Sequence, residues 1–426
     1  MGINGEGIGY ISRKPVFCQG VLPGETAEIR ITEKKEKYCR AEVIEITEPA
    51  KMRRRPVCRH QNECGSCPLM VMDYPWQLKY KKELLEEALY KYGNVKRHFV
   101  RDVKASPDLF GWRNQCKFPV QESGGELTSG MYVRDTNHYR PIERCPVQDD
   151  TLEEVRHEVF RILNKHSYRA WNGKNGLRQI VLRCIDNKVQ CTLITGKEKI
   201  KDNLIRDLMK IREMQGLFQS VNTEKNTVNV FGQRPVKLAG EDTLPVTVCG
   251  IRLELSPESF FQMNLKQAEL LYQTAVSKID PCDVLVEAYA GIGAMSLMAS
   301  QKAKTVIGIE SVKDAVENAK QSAERNGITN AEFICADAAD GLYMAARTRH
   351  VNTLLVDPPR SGMDQKMIEA VLKVMPDKII YVSCNPATLA KNLKDLKHDY
   401  HVVTVIPFDM FPHTPHIESV TVLEKG

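Results

Sequence analysis

The sequence lacks the segments that would carry a protein into or across a membrane. No apolar run in its 426 residues reaches the roughly 18 residues that a membrane-spanning helix needs, and no charged flank followed by an apolar signal core opens the chain. We therefore expect a cytoplasmic protein without membrane contacts. The 13 cysteines are an odd number in a chain without such a signal, so a framework of disulfide bonds is not expected either.

The chain also has only a small excess of positive over negative charge. The formal net charge of +6 is by itself weak evidence for a polyanionic partner. Positive residues are nevertheless concentrated between residues 34 and 55, as contacts to phosphate groups would require. They are Lys34, Lys35, Lys37, Arg40, Lys51, Arg53, Arg54 and Arg55. From charge alone, an RNA-binding face and an ordinary solvated surface are equally acceptable interpretations.

The N-terminal residues have the pattern of a small β-domain. A chain of 426 residues exceeds the size at which one hydrophobic core keeps growing, so more than one domain is expected. Residues 8–17, 25–33 and 38–46 alternate apolar and polar side chains between turn residues, which favours an antiparallel β-barrel over residues 1–52. Barrels of this kind often bind oligonucleotides on a strand face.

A central α+β domain is predicted over residues 53–248. A helix is expected to begin at Asp73 or Tyr74 and to end near Gly93. Beyond it, helical stretches alternate with strand-like runs, for example at 179–185 and 189–195. No motif in this region indicates a function by itself.

Buried-type strands alternate with helix-compatible segments in the third predicted domain, residues 249–426. The five strand runs lie at 284–289, 305–310, 332–336, 353–356 and 378–383. This alternation is typical of a doubly wound parallel sheet, which makes the predicted fold class α/β. Residues 401–407 and 417–423 are two strands separated only by a loop, so an antiparallel hairpin is expected to close the sheet.

The end of the first strand in this domain has the features of a nucleotide-cofactor site. Gly291 and Gly293 would let the backbone approach a ligand. Glu310 ends the second strand about twenty residues later, where a carboxylate can accept hydrogen bonds from a ribose diol. Asp337 follows the third strand and is placed for an adenine edge. Position 296 is Ser296 and not the third glycine of the nicotinamide-binding pattern, which favours S-adenosylmethionine.

Cys384 is the candidate nucleophile. It lies between the fifth strand and a helix expected to begin near Pro386, where the helix dipole and unpaired amides favour the thiolate. A thiolate that adds to carbon 6 of uracil makes carbon 5 able to accept a methyl group. A base must then take the proton from carbon 5, and Glu418 is the candidate. An inert buried cysteine and a solvated glutamate are the structural alternatives.

A second group of cysteines has the spacing of a metal site. Cys58, Cys64 and Cys67 form a Cys-x5-Cys-x2-Cys run, and Cys145 supplies a distant fourth thiol. Four soft ligands suit either zinc or an iron–sulfur cluster, and spacing does not separate the two. Four further cysteines lie in apolar strand-like runs and are expected to be buried. They are Cys184, Cys191, Cys249 and Cys335.

These motifs together resemble the RNA 5-methyluridine methyltransferase family, and within it the 23S rRNA uracil-5 branch that carries a TRAM domain and an iron–sulfur cluster. The resemblance covers nearly the whole chain. The motifs lie at 5–9 (Gly-Glu-Gly-Ile-Gly), 22–25 (Leu-Pro-Gly-Glu), 260–264 (Phe-Phe-Gln-Met-Asn), 357–360 (Asp-Pro-Pro-Arg), 383–386 (Ser-Cys-Asn-Pro) and 416–418 (His-Ile-Glu). The resemblance implies a TRAM-type, OB-like barrel, a Rossmann-like class I methyltransferase domain and a flipped uridine in folded RNA.

The resemblance also implies roles for single residues. Cys384 looks like the nucleophile of the family and Glu418 like its proton acceptor. Five positions match contacts to the cofactor or the target base: Gln262, Tyr289, Glu310, Asp337 and Asp357. For the four clustered cysteines, the resemblance favours a 4Fe-4S cluster over zinc.

The first strand of the third domain departs from the family pattern. Residues 287–291 read Glu-Ala-Tyr-Ala-Gly, where the family usually has Asp, then Leu, Tyr or Phe, Cys and Gly. Ala294 replaces a frequent Asn, a loss that would weaken contacts to the cofactor.

The resemblance favours 23S ribosomal RNA as the substrate, with transfer RNA as the alternative, and we expect a monomer. Two other classes of protein remain open from the sequence. Asp-Pro-Pro also occurs in enzymes that methylate exocyclic amines without a nucleophilic cysteine. A non-enzymatic RNA-binding or assembly factor stabilised by a metal would share the barrel and the cysteines.

Overall fold

The computed structural model describes residues 1–133, 136, 138–225, 227 and 229–426. Over these residues the chain is an α/β protein with a four-stranded N-terminal sheet, a seven-stranded central sheet and a seven-stranded C-terminal sheet. The N-terminal sheet consists of β1 (Gly7–Ile11), β2 (Lys14–Cys18), β3 (Thr26–Lys34) and β4 (Cys39–Glu48), in the order β1-β2-β4-β3.

The N-terminal sheet departs from the predicted pattern in two places. The run predicted at 8–17 is a hairpin, because Ser12 and Arg13 both have positive φ and form the two-residue turn that suits twisted strands. The usual sequence signal for this turn, Asn-Gly, is missing there. β2 and β4 run parallel, so the expectation of a purely antiparallel arrangement is wrong. The two hairpins join through their second strands, which run in the same direction.

A helical segment follows the N-terminal sheet. It contains the short helix α1 (Gln61–Cys64) and the long helix α2 (Tyr74–Gly93), which begins and ends where the sequence predicts. Asn94 stops α2 in the left-handed conformation. Leu85 and Leu89 of α2 are fully buried in a core cluster formed mainly by the C-terminal sheet and its helices. α2 therefore packs on the C-terminal sheet and not on the central one.

Gly93 is the point of closest approach between α2 and α10 (Pro386–Leu396). A Cβ atom at Gly93 would lie 3.2 Å from both the Cα and the carbonyl oxygen of Ala390. Glycine at this position lets the two helices meet backbone to backbone. The approach fixes the helix that directly follows Cys384.

The central sheet has the order β11-β10-β9-β8-β5-β6-β7, and the helices α3 and α4 pack on it. The two predicted runs correspond to β8 and β9, and the other strands of this sheet were not predicted. The elements are β5 (Gln115–Ser123), β6 (Glu126–Tyr132), β7 (Tyr139–Pro141), α3 (Asp150–Lys165), β8 (Leu177–Ile185), β9 (Lys188–Thr195), α4 (Asp202–Leu208), β10 (Met214–Val221) and β11 (Val236–Gly240).

A hairpin of β12 (Leu244–Val248) and β13 (Ile251–Leu255) precedes the C-terminal sheet. Its turn contains the predicted domain boundary between residues 248 and 249. Leu244 and Val246 of this hairpin belong to the same core cluster as the C-terminal sheet. The domain limits 1–52, 53–248 and 249–426 stay a prediction, and we propose that the hairpin and α2 be grouped with the C-terminal sheet.

The C-terminal sheet has the predicted architecture, with the order β16-β15-β14-β17-β18-β20-β19. Its first five strands are parallel, and the closing strands β19 and β20 are antiparallel to each other. The elements are α5 (Leu265–Ser277), β14 (Cys282–Ala288), α6 (Ala294–Ala299), β15 (Ala303–Glu310), α7 (Lys313–Arg325), β16 (Ala331–Cys335), α8 (Ala338–Ala346), β17 (Thr353–Val356), α9 (Gln365–Val374), β18 (Lys378–Ser383), α10, β19 (Tyr400–Phe408) and β20 (Glu418–Lys425).

The last strand of the chain lies inside this sheet. β20 pairs with β18 on one side and with β19 on the other. The strand order reverses between β14 and β17, and the crevice at such a reversal is where open α/β sheets bind ligands. Among the described residues, no helix is both long enough and apolar enough to cross a lipid bilayer.

Candidate active site

The predicted site residues lie at one edge of the C-terminal sheet. β14, β15, β17 and β18 are parallel, so their carboxyl ends meet at the same edge. Tyr289, Glu310, Asp357 and Cys384 each follow or end one of these strands. Asp337, two residues beyond β16, lies at the same edge but further from the strand-order reversal. The fold therefore brings the cofactor candidates and the nucleophile candidate to one side of the sheet.

The antiparallel strand β20 adds Glu418 to this edge. Ser383 of β18 pairs with Ser419 of β20, so the next step of the register sets Cys384 opposite Glu418. Residues that face each other across antiparallel strands project to the same side of the sheet. The predicted nucleophile and the predicted base are thus neighbours.

The thiol of Cys384 is half-buried among charged groups. Burial raises its pKa to about 11, and the nearby carboxylates of Glu418 and Asp357 act in the same direction. The guanidinium of Arg360 opposes them and lowers the pKa of Cys384. In the ligand-free protein, burial and the two carboxylates therefore oppose the thiolate that the helix N-terminus is expected to favour.

Three carboxyl groups of the site act on one another: Glu287 and Glu418 are buried, and Asp357 is partly exposed. Burial raises the pKa of Glu287 to about 8 and that of Asp357 to about 7, and it raises the pKa of Glu418 well above its usual range. Asp357 adds to the shifts of Glu287 and Glu418. The hydroxyl of Ser296 donates a hydrogen bond to Glu287. Glu287, a departure from the family pattern, is thus accommodated as part of a cluster that readily holds protons.

A buried phenol connects this cluster to Gln262. Tyr272 of α5 is close enough to Asp357, Glu287 and Glu418 for their charges to act on it, and burial raises its pKa well above the usual range. Gln262 forms a side-chain hydrogen bond with the Tyr272 hydroxyl. The backbone carbonyl of Gln262 accepts a bond of 3.1 Å from Asn114 Nδ2, just before β5. Gln262 is held from both sides.

The loop after β14 has the shape expected for a cofactor site. Gly293 has φ +80°, and a Cβ atom there would lie 2.8 Å from the ring of Phe333, so the position requires glycine. Tyr289 also has positive φ, which is unusual for an aromatic residue. The carboxylate of Glu310 accepts backbone hydrogen bonds from Gly291 at 3.0 Å and from Val312 at 2.9 Å. Glu310 thereby fixes the loop at the strand-order reversal.

Asp337 is placed differently from the other cofactor candidates. Its carboxylate forms an ion pair with Lys366, with a distance of 3.0 Å between Lys366 Nζ and Asp337 Oδ1. Lys366 also pairs with Asp340 at 2.8 Å. The side chains of this triad are about half exposed, so a ligand could displace the ion pair at small cost.

Comparison with known proteins identifies the family of this chain. Residues 73–426 match the sequence profile of tRNA (Uracil-5-)-methyltransferases, and residues 2–44 match that of the TRAM domain. The chain belongs to the tRNA (Uracil-5-)-methyltransferase family. It is therefore an S-adenosylmethionine-dependent RNA (uracil-5-)-methyltransferase, as predicted. The alternative of a non-enzymatic RNA-binding factor is wrong.

Similar proteins span the whole chain. One from Streptococcus agalactiae is 32% identical over 435 residues, which cover 100% of this chain and 96% of the relative. One from Bacillus cereus is 34% identical over 437 residues, covering 100% and 95%. Both carry the name "Uncharacterized RNA methyltransferase".

A solved structure has the same fold. The crystal structure of Pyrococcus abyssi tRNA (uracil-54, C5)-methyltransferase with S-adenosyl-L-homocysteine is 24% identical to this chain. It covers 96% of this chain and 95% of its own, with a TM-score of 0.77. The likeness confirms the predicted fold of a class I methyltransferase domain joined to other domains.

Cys384 opens onto a groove of about 800 Å³. The walls are formed by the first residues of the chain, by α2 and by the segment before β20, and the cations Lys91, Arg97 and Arg360 line it. A second cavity of about 410 Å³ shares Arg360 and His416 with the groove and extends to the loop at Cys64. The two together form a path from the nucleophile to the cysteine segment.

The four predicted metal ligands lie around one small cavity. Cys58, Cys64, Cys67 and Cys145 line a space of about 60 Å³ beside Trp112. Burial raises the pKa of the Cys67 thiol, and the other three cysteines raise it further, which shows that the four sulfur atoms are neighbours. Within the described part of the chain, no three His, Cys, Asp or Glu side chains converge tightly enough to hold a metal ion.

Two of the four further cysteines that were expected to be buried are buried in the structure. Cys184 and Cys191 are buried as expected. Cys249 is only partly buried, in the turn between β12 and β13, and Cys335 is exposed. Cys335 ends β16, which has a neighbouring strand on one side only, so the prediction of a buried cysteine is wrong there.

Four of the basic residues in the N-terminal segment form ion pairs within the protein. Arg53 forms an ion pair with Glu25, whose side chain is fully buried, and also donates a hydrogen bond of 2.6 Å to the carbonyl of Gly20. Arg54 pairs with Asp73 at 2.6 Å. Lys35 and Arg40 both lie within ion-pair distance of Glu33. The positive charge of the segment is therefore partly neutralised within the protein.

Sequence reasoning did not assign roles to several residues of the site. Arg360 belongs to the Asp-Pro-Pro-Arg motif at 357–360, and this motif is the sequence feature from which its place in the site could have been inferred. Tyr272 occupies a core position of α5, and its sequence pattern does not distinguish it from any other buried aromatic residue. Lys81 and Asp409, which form a fully buried ion pair behind the site, are far apart in sequence and carry no local signal.

Proposed function

We propose that Cys384 is the nucleophile and Glu418 the base in methylation of carbon 5 of a uridine in RNA. The observation that carries the proposal is the register of β18 and β20, which sets Cys384 opposite Glu418. A thiol that opens onto a groove, with a buried carboxylate beside it, can act on the two neighbouring carbons of a pyrimidine's reactive double bond.

The reaction follows from these two side chains. The thiolate of Cys384 forms a bond to carbon 6, and the electron pair moves to carbon 5, which attacks the methyl group. S-adenosylmethionine would supply that methyl group when bound and leave as S-adenosylhomocysteine. Glu418, which must be ionised at this point although burial raises its pKa in the ligand-free protein, accepts the proton from carbon 5. The bond between sulfur and carbon 6 then breaks, which restores the double bond and releases Cys384 as the thiolate. The uridine must leave the RNA stack to reach the groove.

Positive charge near Cys384 assists the first step. Arg360 lowers the pKa of the thiol, whereas Glu418 and Asp357 raise it. Bound S-adenosylmethionine would bring a second positive charge, its sulfonium, to this site, which would favour the thiolate of Cys384.

The decisive experiment replaces the nucleophile. Cys384→Ala should abolish methylation of RNA and also abolish the denaturant-resistant adduct with RNA that contains 5-fluorouridine, because fluorine at carbon 5 prevents release of the enzyme. Cys335→Ala is the matched control, since Cys335 is exposed at the end of β16. An enzyme that methylates exocyclic amines would keep its activity without Cys384, and that result would reject the mechanism.

The cofactor contacts are proposed for Gln262, Tyr289, Glu310, Asp337 and Asp357. Support comes from their common edge and from Glu310, which fixes the loop at 289–293. Glu310→Ala should weaken binding of S-adenosylmethionine by about tenfold to a hundredfold, because hydrogen bonds to a charged group are lost. Glu317→Ala on the exposed side of α7 is the control in the same calorimetric titration. Equal affinities for the two variants would remove Glu310 from the cofactor site.

The proposed RNA is 23S ribosomal RNA, with transfer RNA as a second candidate. The TRAM domain and the four clustered cysteines resemble the ribosomal RNA branch of the family. The name of the matching family and the activity of the Pyrococcus abyssi enzyme favour transfer RNA. Mapping 5-methyluridine in both RNAs from a strain without the gene separates the candidates. Unchanged methylation in both would contradict the proposed function.

The four cysteines are proposed to hold a 4Fe-4S cluster. Four thiols around one enclosed, largely apolar cavity fit such a group. Zinc is the alternative group for four thiols, and the resemblance to the iron–sulfur branch of the family is what favours the cluster. The group would cross-link the cysteine segment to the central domain, and methyl transfer needs no electron from it. Iron and acid-labile sulfide in anaerobically purified protein, with their loss in Cys67→Ser, are the expected result. Zinc without iron would contradict it.

A further inference from the structure

Buried polar side chains of α2 hold the loop that leads to Glu418. We define the base loop as residues 409–417, which connect β19 to β20. Glu418 directly follows this loop as the first residue of β20. The base loop therefore determines, together with the register of β18 and β20, where the Glu418 carboxylate stands relative to Cys384.

A fully buried ion pair holds the first residue of the base loop. The side chains of Lys81, on α2, and Asp409 are both completely inaccessible to solvent. Lys81 Nζ donates hydrogen bonds to Asp409 Oδ1 and, at 3.0 Å, to the carbonyl of Phe411. The hydroxyl of Tyr74 donates to Asp409 Oδ2 at 2.8 Å. Side chains of α2 thus form three hydrogen bonds to the base loop.

A second contact holds the middle of the base loop. His413 has φ +70°, a conformation that costs free energy in a residue other than glycine. Gln77 Oε1 accepts a hydrogen bond of 3.0 Å from the His413 amide, and Gln77 Nε2 lies 3.2 Å from His413 Nδ1. The amide of Leu69 donates to the His413 carbonyl at 3.0 Å. These contacts hold His413 in its strained conformation, as expected where a loop must keep one position.

The buried ion pair is better explained by positioning than by stability. Removing two charges from water is costly, and apolar side chains of similar volume often give equal or greater stability. An ion pair, unlike an apolar contact, tolerates few geometries, because any displacement leaves a charge buried without a partner. Lys81 and Asp409 are thus suited to specify one position of the loop.

We propose that Lys81 and Asp409 are positioning residues that set the base loop so that Glu418 can reach the proton on carbon 5. The inference rests on the proposed function, in which Glu418 is the base. It assigns the pair to the late step of the reaction, after the methyl group has been transferred. Attack by Cys384 and methyl transfer should not depend on it.

The test separates the late step from the early ones. In the double variant Lys81→Met/Asp409→Leu, both charges are removed and a buried unpaired charge is avoided. The protein is incubated with tritiated S-adenosylmethionine and total RNA from a strain without the gene. We expect turnover to fall on the order of tenfold or more, because proton removal is impaired. Label should accumulate in a denaturant-resistant complex of protein and ordinary RNA.

The early steps provide the internal standard. RNA from the same strain grown with 5-fluorouracil should form its covalent adduct at the wild-type rate in the double variant. Lys82→Met/Asp102→Leu is the matched control, because this pair also involves α2, has a distance of 2.6 Å and is exposed at Asp102. We expect this control to turn over like the wild type.

Each outcome decides the inference. Wild-type turnover in the double variant, or parallel loss of turnover, fluorouridine adduct and cofactor binding, would overturn the positioning role. If the double variant does not fold, Tyr74→Phe, which removes one hydrogen bond to Asp409, must show partial accumulation of the adduct with ordinary RNA. Absence of accumulation there also overturns it. Failure of the wild type to form the fluorouridine adduct would instead reject the proposed function.

Discussion

Cys384 and Glu418 face each other one residue beyond the last pair of the β18–β20 ladder. The parallel strands alone could not produce this arrangement, since each contributes only its own carboxyl end to the edge. The antiparallel strand β20 enters with its first residue at that edge and so brings a carboxylate to the thiol. The closing hairpin is therefore a functional part of the sheet.

Glu418→Gln should trap the enzyme on its substrate. The amide cannot accept the proton from carbon 5, so the methylated RNA stays bound to Cys384 and turnover falls by roughly a hundredfold to ten-thousandfold. The measurement is a denaturing gel of protein incubated with ordinary RNA and labelled S-adenosylmethionine. Glu424→Gln, at the far end of the same strand, is the control. Undiminished turnover would show that another group takes the proton.

The reactivity of Cys384 should depend on pH in a characteristic way. Its pKa of about 11 means that the thiol predominates below that pH in the ligand-free protein, so alkylation by iodoacetamide should accelerate up to about pH 11 without levelling near pH 7. Arg360 lowers this pKa, and Arg360→Met should therefore shift the curve to higher pH. Lys391→Met on α10 should leave it in place.

Mass spectrometry of the peptide that contains Cys384 follows this alkylation, with the exposed Cys335 as reference for the reagent. A plateau near neutral pH would show that the carboxylates do not control the thiol. An unshifted curve for Arg360→Met would show that its guanidinium does not act on Cys384.

Binding of S-adenosylmethionine should release protons. Glu287 and Asp357 have pKa values of about 8 and about 7, so both are partly protonated at pH 7. A sulfonium nearby stabilises their ionised forms, lowers both pKa values and expels protons. Calorimetry in two buffers of different ionisation enthalpy measures the number released. S-adenosylhomocysteine, whose sulfur is neutral, is the comparison, and equal release by both ligands would contradict the prediction.

Gly93→Val should destabilise the protein by about 1–3 kcal/mol, because a side chain there would be forced against the backbone of Ala390. Urea unfolding measures the change. Gly9→Val is the control, since a Cβ at Gly9 meets no atom within 4 Å. Equal stability of the two variants would show that α2 and α10 can separate freely.

The C-terminal sheet could be predicted from the sequence in detail. The bounds of β17 and β18 agree with the predicted runs because strands buried on both faces are continuous apolar segments. Of the central sheet, only β8 and β9 were predicted. β5 contains Lys117 and Pro119, which interrupt the pattern of a strand, and one of its two neighbours, β8, lies far away in sequence. Its place in the sheet therefore depends on a distant partner as well as on a local pattern.

The candidate site was predictable in part. Motifs indicated Cys384, Asp357 and the loop after β14, because each lies at a strand end. The residues that support them were not predictable. Lys81 and Asp409 meet only after the chain has folded, and a lysine on a helix is ordinarily a surface residue.

The interior position of β20 has a consequence for how the protein is made. A ribosome that has not yet reached residue 418 has produced β18 and β19 without the strand that separates them, and without the proposed base. These strand edges stay unpaired until residues 418–425 emerge, so the sheet is completed only after β20 has been made. Translation that stops before β20 would yield a protein whose sheet has exposed strand edges, which promote aggregation. Such a protein would also lack Glu418, the base proposed to release the methylated RNA from Cys384.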